Sequence, residues 1–180
     1  MKMRIAILLG LAFVARALSA TQMPTPAIEI RPGIPASEGE LTISVQRHVT
    51  RGDSLTAQRR YAEAQREFRT AAGIARREGH LGSLSLWHLA CAYYYQGDKA
   101  GAVGALDELR DEAMRFGDLR VEALAQFNAA WLEGQAGRYE QAQSRVNELQ
   151  RLLRSPYMPI AIRDHLTARL NTPGEIAVQP

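Results

Sequence analysis

Few side chains in this sequence of 180 residues have the type and spacing that chemistry requires. Cys91 follows His88 by one helical turn, and such a pair can generate a thiolate nucleophile. The sequence shows no third residue that would orient the imidazole. The single cysteine excludes an internal disulfide framework and a cysteine-based zinc site. Metal-ligand spacing is absent among the four histidines, which are His48, His80, His88 and His165.

Two other motifs have simpler explanations than chemistry. The Arg51–Asp53 tripeptide has the cell-adhesion sequence, but it falls within a predicted helix in which Gly52 serves packing. The acidic residues of Asp107–Glu112 could suggest a cation site, although Arg110, Arg115 and solvation of a helix face explain them better. Phosphate-loop, zinc-protease and nucleophile-elbow motifs are absent. We therefore predict a non-catalytic protein that needs no cofactor or metal.

The start of the chain has the pattern of a secretory signal peptide. Lys2 and Arg4 precede the apolar stretch Ile5–Ala15. The small residues Ala15 and Ala17 fit the cleavage rule best, and cleavage after Ser19 or Ala20 is the alternative. A membrane anchor is less consistent, because eleven helical residues span only about 16 Å of a core roughly 30 Å thick. We predict that residues 1–20 are removed and that the protein is periplasmic or extracellular.

Cleavage would change the charge of the protein. The whole chain has 22 basic and 19 acidic residues, a formal charge of +3, and the first twenty residues hold three of the bases and no acid. The mature chain is therefore neutral. Because no basic excess remains, we predict no nucleic-acid partner and no membrane insertion after cleavage.

The remaining chain divides by composition into a linker, a helical body and a tail. Residues 21–40 contain four prolines and two glycines, which predicts a flexible linker. Residues 41–170 are rich in helix formers, with apolar residues at intervals of three and four, and residues 171–180 form a loose tail. Glycines mark expected helix ends at Gly79, Gly97, Gly117 and Gly137.

The helical body contains an internal repeat. Ala64, Ala102 and Ala142 occupy similar local patterns and are spaced 38 and 40 residues apart. Each follows a turn, formed by Arg59-Arg60, Gly97-Asp98 or Gly137-Arg138. A period of 20 to 50 residues in a helical chain is typical of a solenoid of stacked helix pairs. One helix pair cannot bury its own apolar face, and about three are needed for stability.

This pattern resembles the tetratricopeptide repeat family, with extended repeats of about 38–40 residues in place of the usual 34 or so. The matching residues are Gly52, Leu55, Tyr61, Ala64, Phe68 and Ala71 in the first unit, Leu89, Ala90, Tyr93, Gly97, Asp98 and Ala102 in the second, and Ala130, Gly137, Tyr139 and Ala142 in the third. The resemblance implies an all-α fold, namely a short right-handed α-solenoid of about three helix hairpins.

The repeats depart from the family pattern at three positions. Arg59 replaces the turn glycine of the first unit, Lys99 the turn aromatic of the second, and Glu133 the mid-helix aromatic of the third.

The last repeat would leave one end of the helical stack exposed, and we predict that a capping helix over Pro156–Leu170 covers it. Ser155 would be its N-cap, and an apolar stripe recurs every four residues along it.

In this family the first helices of the units line a concave groove that holds peptides or partner helices. The positions that the resemblance assigns to the groove are Gln46, Val49, Asp53 and Thr56 in the first unit, Leu84, Trp87, Cys91, Tyr94 and Tyr95 in the second, and Leu124, Phe127, Trp131 and Gln135 in the third. Tryptophan and tyrosine are favoured interface anchors. Aromatic residues at helical spacing can equally be core, which we expect of Tyr93 and leave open for Trp87, Tyr94 and Trp131.

Three functions follow from these observations. The leading hypothesis is an exported scaffold that holds a protein or peptide partner in the groove. The alternative is a self-associating structural component of an envelope complex, and the third is an enzyme or a ligand-binding accessory. Light scattering tests self-association, whereas pull-down tests partner capture.

Overall fold

In a computed structural model the described part of the chain is residues 39–176, and it is all-helical, with seven helices and no strand among those residues. The predicted signal peptide and all but the end of the predicted linker lie outside it. The helices are α1 (Ile43–Ala57), α2 (Tyr61–Arg77), α3 (Ser83–Gln96), α4 (Lys99–Phe116), α5 (Leu119–Gln135), α6 (Tyr139–Leu153) and α7 (Ile160–Leu170).

Helices that follow one another in the chain pack against one another in space. This holds for every neighbouring pair from α1 to α6, while α1 also contacts α3 and α7 contacts α5. The predicted all-α fold of three stacked helix pairs with a further C-terminal helix is confirmed. We name the helix pairs hairpin 1 (α1 and α2), hairpin 2 (α3 and α4) and hairpin 3 (α5 and α6).

The repeated small residues lie where helices approach closely. Ala64, Ala102 and Ala142 are all completely buried near the starts of the second helices. In hairpin 1, Gly52 faces the ring of Phe68, and a β-carbon at residue 52 would overlap that ring. The small residue in α1 is therefore required by the aromatic residue in α2.

The turn within each hairpin places one residue in the left-handed backbone region. Its φ angle is +86° at Gly97 and +75° at Gly137, and it is +60° at Arg59. Residues with a β-carbon disfavour this region, so the departure of Arg59 from the glycine pattern is a source of strain rather than a different turn.

Glu40, which precedes α1 in the chain, stabilises the start of α3. Its carboxylate oxygens accept hydrogen bonds from the Leu84 backbone N–H at 2.9 Å and from the Ser83 hydroxyl at 2.8 Å. Glu40 is fully buried, and a carboxylate near a helix N-terminus is favoured by the unpaired N–H groups there. The last residue of the predicted linker is therefore an integral part of the fold.

The buried side chains form two clusters that share α5. The first runs from α1 to α5 and includes Phe68, Leu89 and Leu106. The second lies between α5, α6 and α7 and includes Phe127 and Leu166. Helix α5 is buried on nearly all sides in its middle, so it is the structural centre of the domain.

The capping helix begins four residues later than predicted. It starts at Ile160 with Pro159 as its N-cap, whereas Ser155 and Pro156 belong to a turn. The physical reason is Pro159, because the residue before a proline disfavours the helical region. That residue is Met158, which is 2% exposed and anchors the turn in the second cluster.

The end of α7 at Leu170 is as predicted, and the first part of the predicted tail is held to the domain. The Nε of Arg169 donates a hydrogen bond to the Glu175 carboxylate at 2.9 Å, and Ile176 packs against the second cluster. Among the helices of this part of the chain, none is both long and apolar enough to cross a membrane.

Candidate functional site

A cleft of about 590 Å³ lies between α1 and α3 and reaches the start of α2. Aromatic and small side chains dominate its lining, with a few polar groups. The lining residues are Asp53, Thr56, Ala57, Arg59, Tyr61, Phe68, Trp87, His88, Cys91 and Tyr95. We call this the aromatic cleft. Its size and mixed lining are those of pockets that hold an organic group.

The floor of the aromatic cleft is part of the hydrophobic core. Phe68 is 1% exposed and Trp87 is 8% exposed, and both belong to the first cluster. The ring of His88 meets the ring of Phe68 edge-on, with centroids 5.3 Å apart and planes at 65°. Because these rings are fixed by core packing, the cleft is preformed.

A polar pair lies at the rim. The Nδ1 atom of His88 and the Oδ1 atom of Asp53 are 2.5 Å apart, a hydrogen bond between the second unit and the first. Half of the Asp53 side chain is exposed. The pair fixes the orientation of the imidazole, and it gives the apolar cleft a directional hydrogen-bonding group at its mouth.

The thiol of Cys91 is not an activated nucleophile. Burial, together with the negative charge of Asp53, raises its pKa to about 12. Asp53 is the residue that orients His88, which the sequence did not show, but its charge opposes formation of a thiolate. At neutral pH the thiol is therefore protonated and lines the cleft as a small, weakly polar group.

The phenol of Tyr95 completes one wall. Burial is the main cause that raises its pKa above the ordinary value, and Cys91 and Tyr94 add to the effect. The hydroxyl is therefore protonated at neutral pH and can both donate and accept a hydrogen bond. It is a second polar group in the lining, beside the aromatic rings.

The structure brings together only part of the groove that the resemblance implied. Trp87, Cys91 and Tyr95 line the aromatic cleft together with Asp53 and Thr56 of the first unit. Four other assigned residues lie outside the lining: Gln46 is exposed, Val49 is buried in the first cluster, and Leu84 and Tyr94 pack against that cluster.

The assigned residues of the third unit do not line the aromatic cleft. Leu124 and Phe127 are 6% and 3% exposed and lie in the second cluster beside α7. The Arg169 guanidinium of α7 lies 5.1 Å from the centre of the Phe127 ring. Trp131 packs against Tyr94, with ring centroids 5.8 Å apart.

Gln135 is exposed at the end of α5, and its backbone carbonyl accepts a hydrogen bond from Lys99 at 2.7 Å. Helix α7 therefore packs over the Leu124 and Phe127 positions of the predicted groove, whereas Trp131 is half-buried and Gln135 is exposed. The aromatic cleft itself is lined by residues of hairpin 1 and α3.

Sequence reasoning did not assign five of the lining residues to the groove. They are Ala57 at the end of α1, Arg59 in the turn, Tyr61 and Phe68 in α2, and His88 in α3. The repeat pattern assigns Tyr61 and Phe68 only to packing. The available signal was the position of Tyr61 directly after the turn, since that end of a hairpin lies beside the end of its first helix.

The other candidate motifs have structural partners. The Arg51–Asp53 tripeptide lies within α1, with Gly52 against Phe68. The acidic residues of α4 are paired with arginines: Arg110 binds Asp107 and Asp111, and Arg76 binds Glu108 and Glu112. Across residues 39–176 no group of three or more histidine, cysteine or acidic residues is placed to hold a metal ion.

Comparison of the chain with models of protein families, with curated proteins and with solved structures found no match. What the aromatic cleft can bind is therefore inferred from its own side chains.

Proposed function

We propose that this protein is a non-catalytic peptide-binding scaffold of tetratricopeptide-repeat type. The observation that supports this function best is the aromatic cleft, a preformed apolar pocket with the Asp53–His88 pair at its rim. Fixed rings provide apolar area at low entropic cost, and a few polar groups set direction. Independently, the resemblance of the repeats to the tetratricopeptide repeat family implies the same function.

The lining indicates the kind of peptide. An aromatic or branched apolar side chain would fill the space between Trp87 and Tyr61, excluding water from both. Asp53 and Tyr95 would then accept or donate hydrogen bonds to the peptide backbone on either side of that anchor. An extended segment with one large apolar residue is therefore the proposed ligand.

We also propose that the scaffold acts outside the cytoplasm. The support is the charged start, apolar stretch and small-residue site of residues 1–20, which have the pattern of a signal peptide. The raised pKa of the Cys91 thiol is compatible with an oxidising compartment, because oxidation of cysteine proceeds through the thiolate.

A displayed library of random peptides tests the binding function. Selection on the wild-type domain should enrich peptides that share one aromatic or branched apolar position. Tyr61→Ala should then weaken the selected peptides about tenfold or more, as expected for loss of an aromatic anchor. Tyr139→Ala is the matched control, because Tyr139 begins α6 as Tyr61 begins α2 but lies outside the cleft.

A second variant guards against loss of folding. Asp53→Asn changes a half-exposed side chain and should weaken binding several-fold while leaving far-UV circular dichroism unchanged. Absence of any enriched consensus, or equal losses in the Tyr61 and Tyr139 variants, would remove the cleft as the binding site.

Self-association is the second candidate function, and one surface favours it. Phe116 and Tyr157 are 50% and 85% exposed, and they line the same shallow depression together with Pro159. Two copies could bury these rings against one another. Light scattering on the wild type and on the Phe116→Ser, Tyr157→Ser double variant decides: a dimer that becomes a monomer supports this function, and a wild-type monomer excludes it.

A further inference from the structure

A second cavity, of about 560 Å³, lies among α4, α5 and α6 and differs in character from the aromatic cleft. Polar and charged side chains dominate its lining. The lining residues are Arg110, Asp111, Met114, Glu122, Gln126, Glu133, Gln141, Ser144, Arg145 and Glu148. Four carboxylates face two guanidinium groups, so the lining carries two more negative than positive charges. We call this the acidic cavity.

The two arginines of the acidic cavity are already paired. Arg145 binds both carboxylate oxygens of Asp107, at 2.7 and 2.9 Å. Arg110 donates to Asp107 at 3.0 Å and to Asp111 at 2.8 Å. Bidentate and shared contacts of this kind hold a guanidinium group in place. Of the remaining carboxylates, Glu133 lies 3.7 Å from the Arg145 guanidinium, whereas neither arginine is within ion-pair distance of Glu122 or Glu148 in the described part of the chain.

Two of those remaining carboxylates also have cationic partners. Glu133 pairs with Arg138, and Glu148 pairs with Arg151 within α6. Glu122 differs from both. In the described part of the chain its carboxylate makes no hydrogen bond and no ion pair within bonding distance, although the residue is only 8% exposed and lines the cavity.

The surroundings of Glu122 make this lack of a partner costly. Burial, and then the like charge of Glu148, raise the pKa of the Glu122 carboxyl, while Arg110 acts in the opposite direction. Its position in the first turn of α5 offsets part of the cost through the helix dipole. The Glu122 oxygens are not enclosed, so a cation in the cavity can reach them and would offset both the burial and the like charge of Glu148.

We propose that the acidic cavity binds a guanidinium group, with Glu122 as its principal acceptor and Glu148 as the second. A guanidinium is planar, carries five N–H donors and is weakly hydrated, so it suits a half-desolvated site with two carboxylates better than an ammonium does. Gln141 and Ser144 supply further acceptors, and Met114 provides an apolar surface for an alkyl stem.

Titration with N-acetyl-arginine amide, followed by nuclear magnetic resonance of the domain, tests this site. Saturable binding with shifts confined to α4, α5 and α6 is expected. Glu122→Gln should weaken it at least about tenfold. Glu140→Gln is the matched control, since Glu140 also lies in the first turn of its helix but is exposed and outside the cavity lining. It should bind as the wild type does.

N-acetyl-lysine amide separates guanidinium recognition from simple charge attraction. It should bind at least about fivefold more weakly than the arginine compound. Equal binding of the two compounds would overturn the assignment to guanidinium, and no saturable binding of either would overturn the site. An equal loss in the Glu122 and Glu140 variants would also overturn it, since bulk charge would then account for the affinity.

Discussion

At the turn between α1 and α2, Arg59 adopts a backbone conformation that the equivalent turns leave to glycine. Its φ angle of +60° is positive, as are the φ angles of Gly97 and Gly137 in the equivalent turns. A left-handed residue with a β-carbon costs about 1–2 kcal/mol, so hairpin 1 is strained at a residue that also lines the aromatic cleft.

Arg59→Gly should therefore stabilise the domain by about 1 kcal/mol, less the greater entropy of glycine in the unfolded chain. The reverse change, Gly97→Arg, should destabilise it by a similar amount. Space is not the cause at residue 97, because no atom lies within 4 Å of a β-carbon built there. Urea unfolding of both variants measures the two effects. No gain in stability for Arg59→Gly and no loss for Gly97→Arg would show that the turn is unstrained.

Glu122 gives the domain a pH dependence whose sign can be stated. Its folded-state pKa is raised above the ordinary value of 4.5, so the folded state binds the proton more tightly than the unfolded chain does. Its contribution to stability is therefore present below that ordinary pKa and is lost as pH rises through the folded-state value.

Glu122→Gln should accordingly stabilise the domain at pH 7 relative to the wild type, and this gain should disappear near pH 3.5, where the wild-type carboxyl is protonated. Urea unfolding of both proteins at the two pH values measures the difference. If the substitution changes the free energy of unfolding equally at both pH values, the charge of Glu122 is not the cause of the change.

At the scale of elements, the close approach of α1 and α2 depends on the absence of a β-carbon at Gly52. Gly52→Ala improves helix propensity by about 1 kcal/mol, yet its β-carbon would overlap the Phe68 ring, so net destabilisation of about 1–3 kcal/mol is expected. Gly104→Ala in α4 is the matched control, because the space around residue 104 is open and only the gain in propensity applies.

Thermal unfolding of these two alanine variants measures the contrast. The melting temperature should fall for Gly52→Ala and rise slightly for Gly104→Ala. A second substitution, Phe68→Leu, should recover part of the loss at residue 52 by making room. Equal rises in both single variants would show that the helices do not approach as closely as described.

The helix pairs could be predicted from the sequence because their signals are local. Glycine turns, small residues and a period near 38 residues locate α1 to α6 without any long-range information. The start of α7 was predicted wrongly because a Ser-Pro cap signal at Ser155 competes with Pro159, and the stronger backbone restriction prevails.

The site was less predictable than the fold for the same reason. The Asp53–His88 hydrogen bond joins residues 35 positions apart, and no local pattern indicates it. Covering of Phe127 by α7 depends likewise on how the last helix docks, which its own apolar stripe does not specify. The resemblance therefore predicted a longer open groove than the packed helices leave.

At the scale of the whole molecule, two cavities of similar size lie in different halves of the helical stack. The aromatic cleft belongs to hairpin 1 and α3, and the acidic cavity to α4, α5 and α6. They share no lining residue. A peptide with one apolar anchor and a guanidinium compound should therefore bind independently, and failure of one site leaves the other untouched.

The chain has two tryptophans, and they provide the most direct test of the proposed peptide site. Trp87 lines the aromatic cleft, whereas Trp131 packs against Tyr94 outside the lining. In a two-dimensional ¹H–¹⁵N spectrum, a library-selected peptide should shift the indole N–H signal of Trp87 and leave that of Trp131 nearly unchanged. A shift of the Trp131 signal alone, or of neither, with the peptide bound would contradict the assignment of the aromatic cleft.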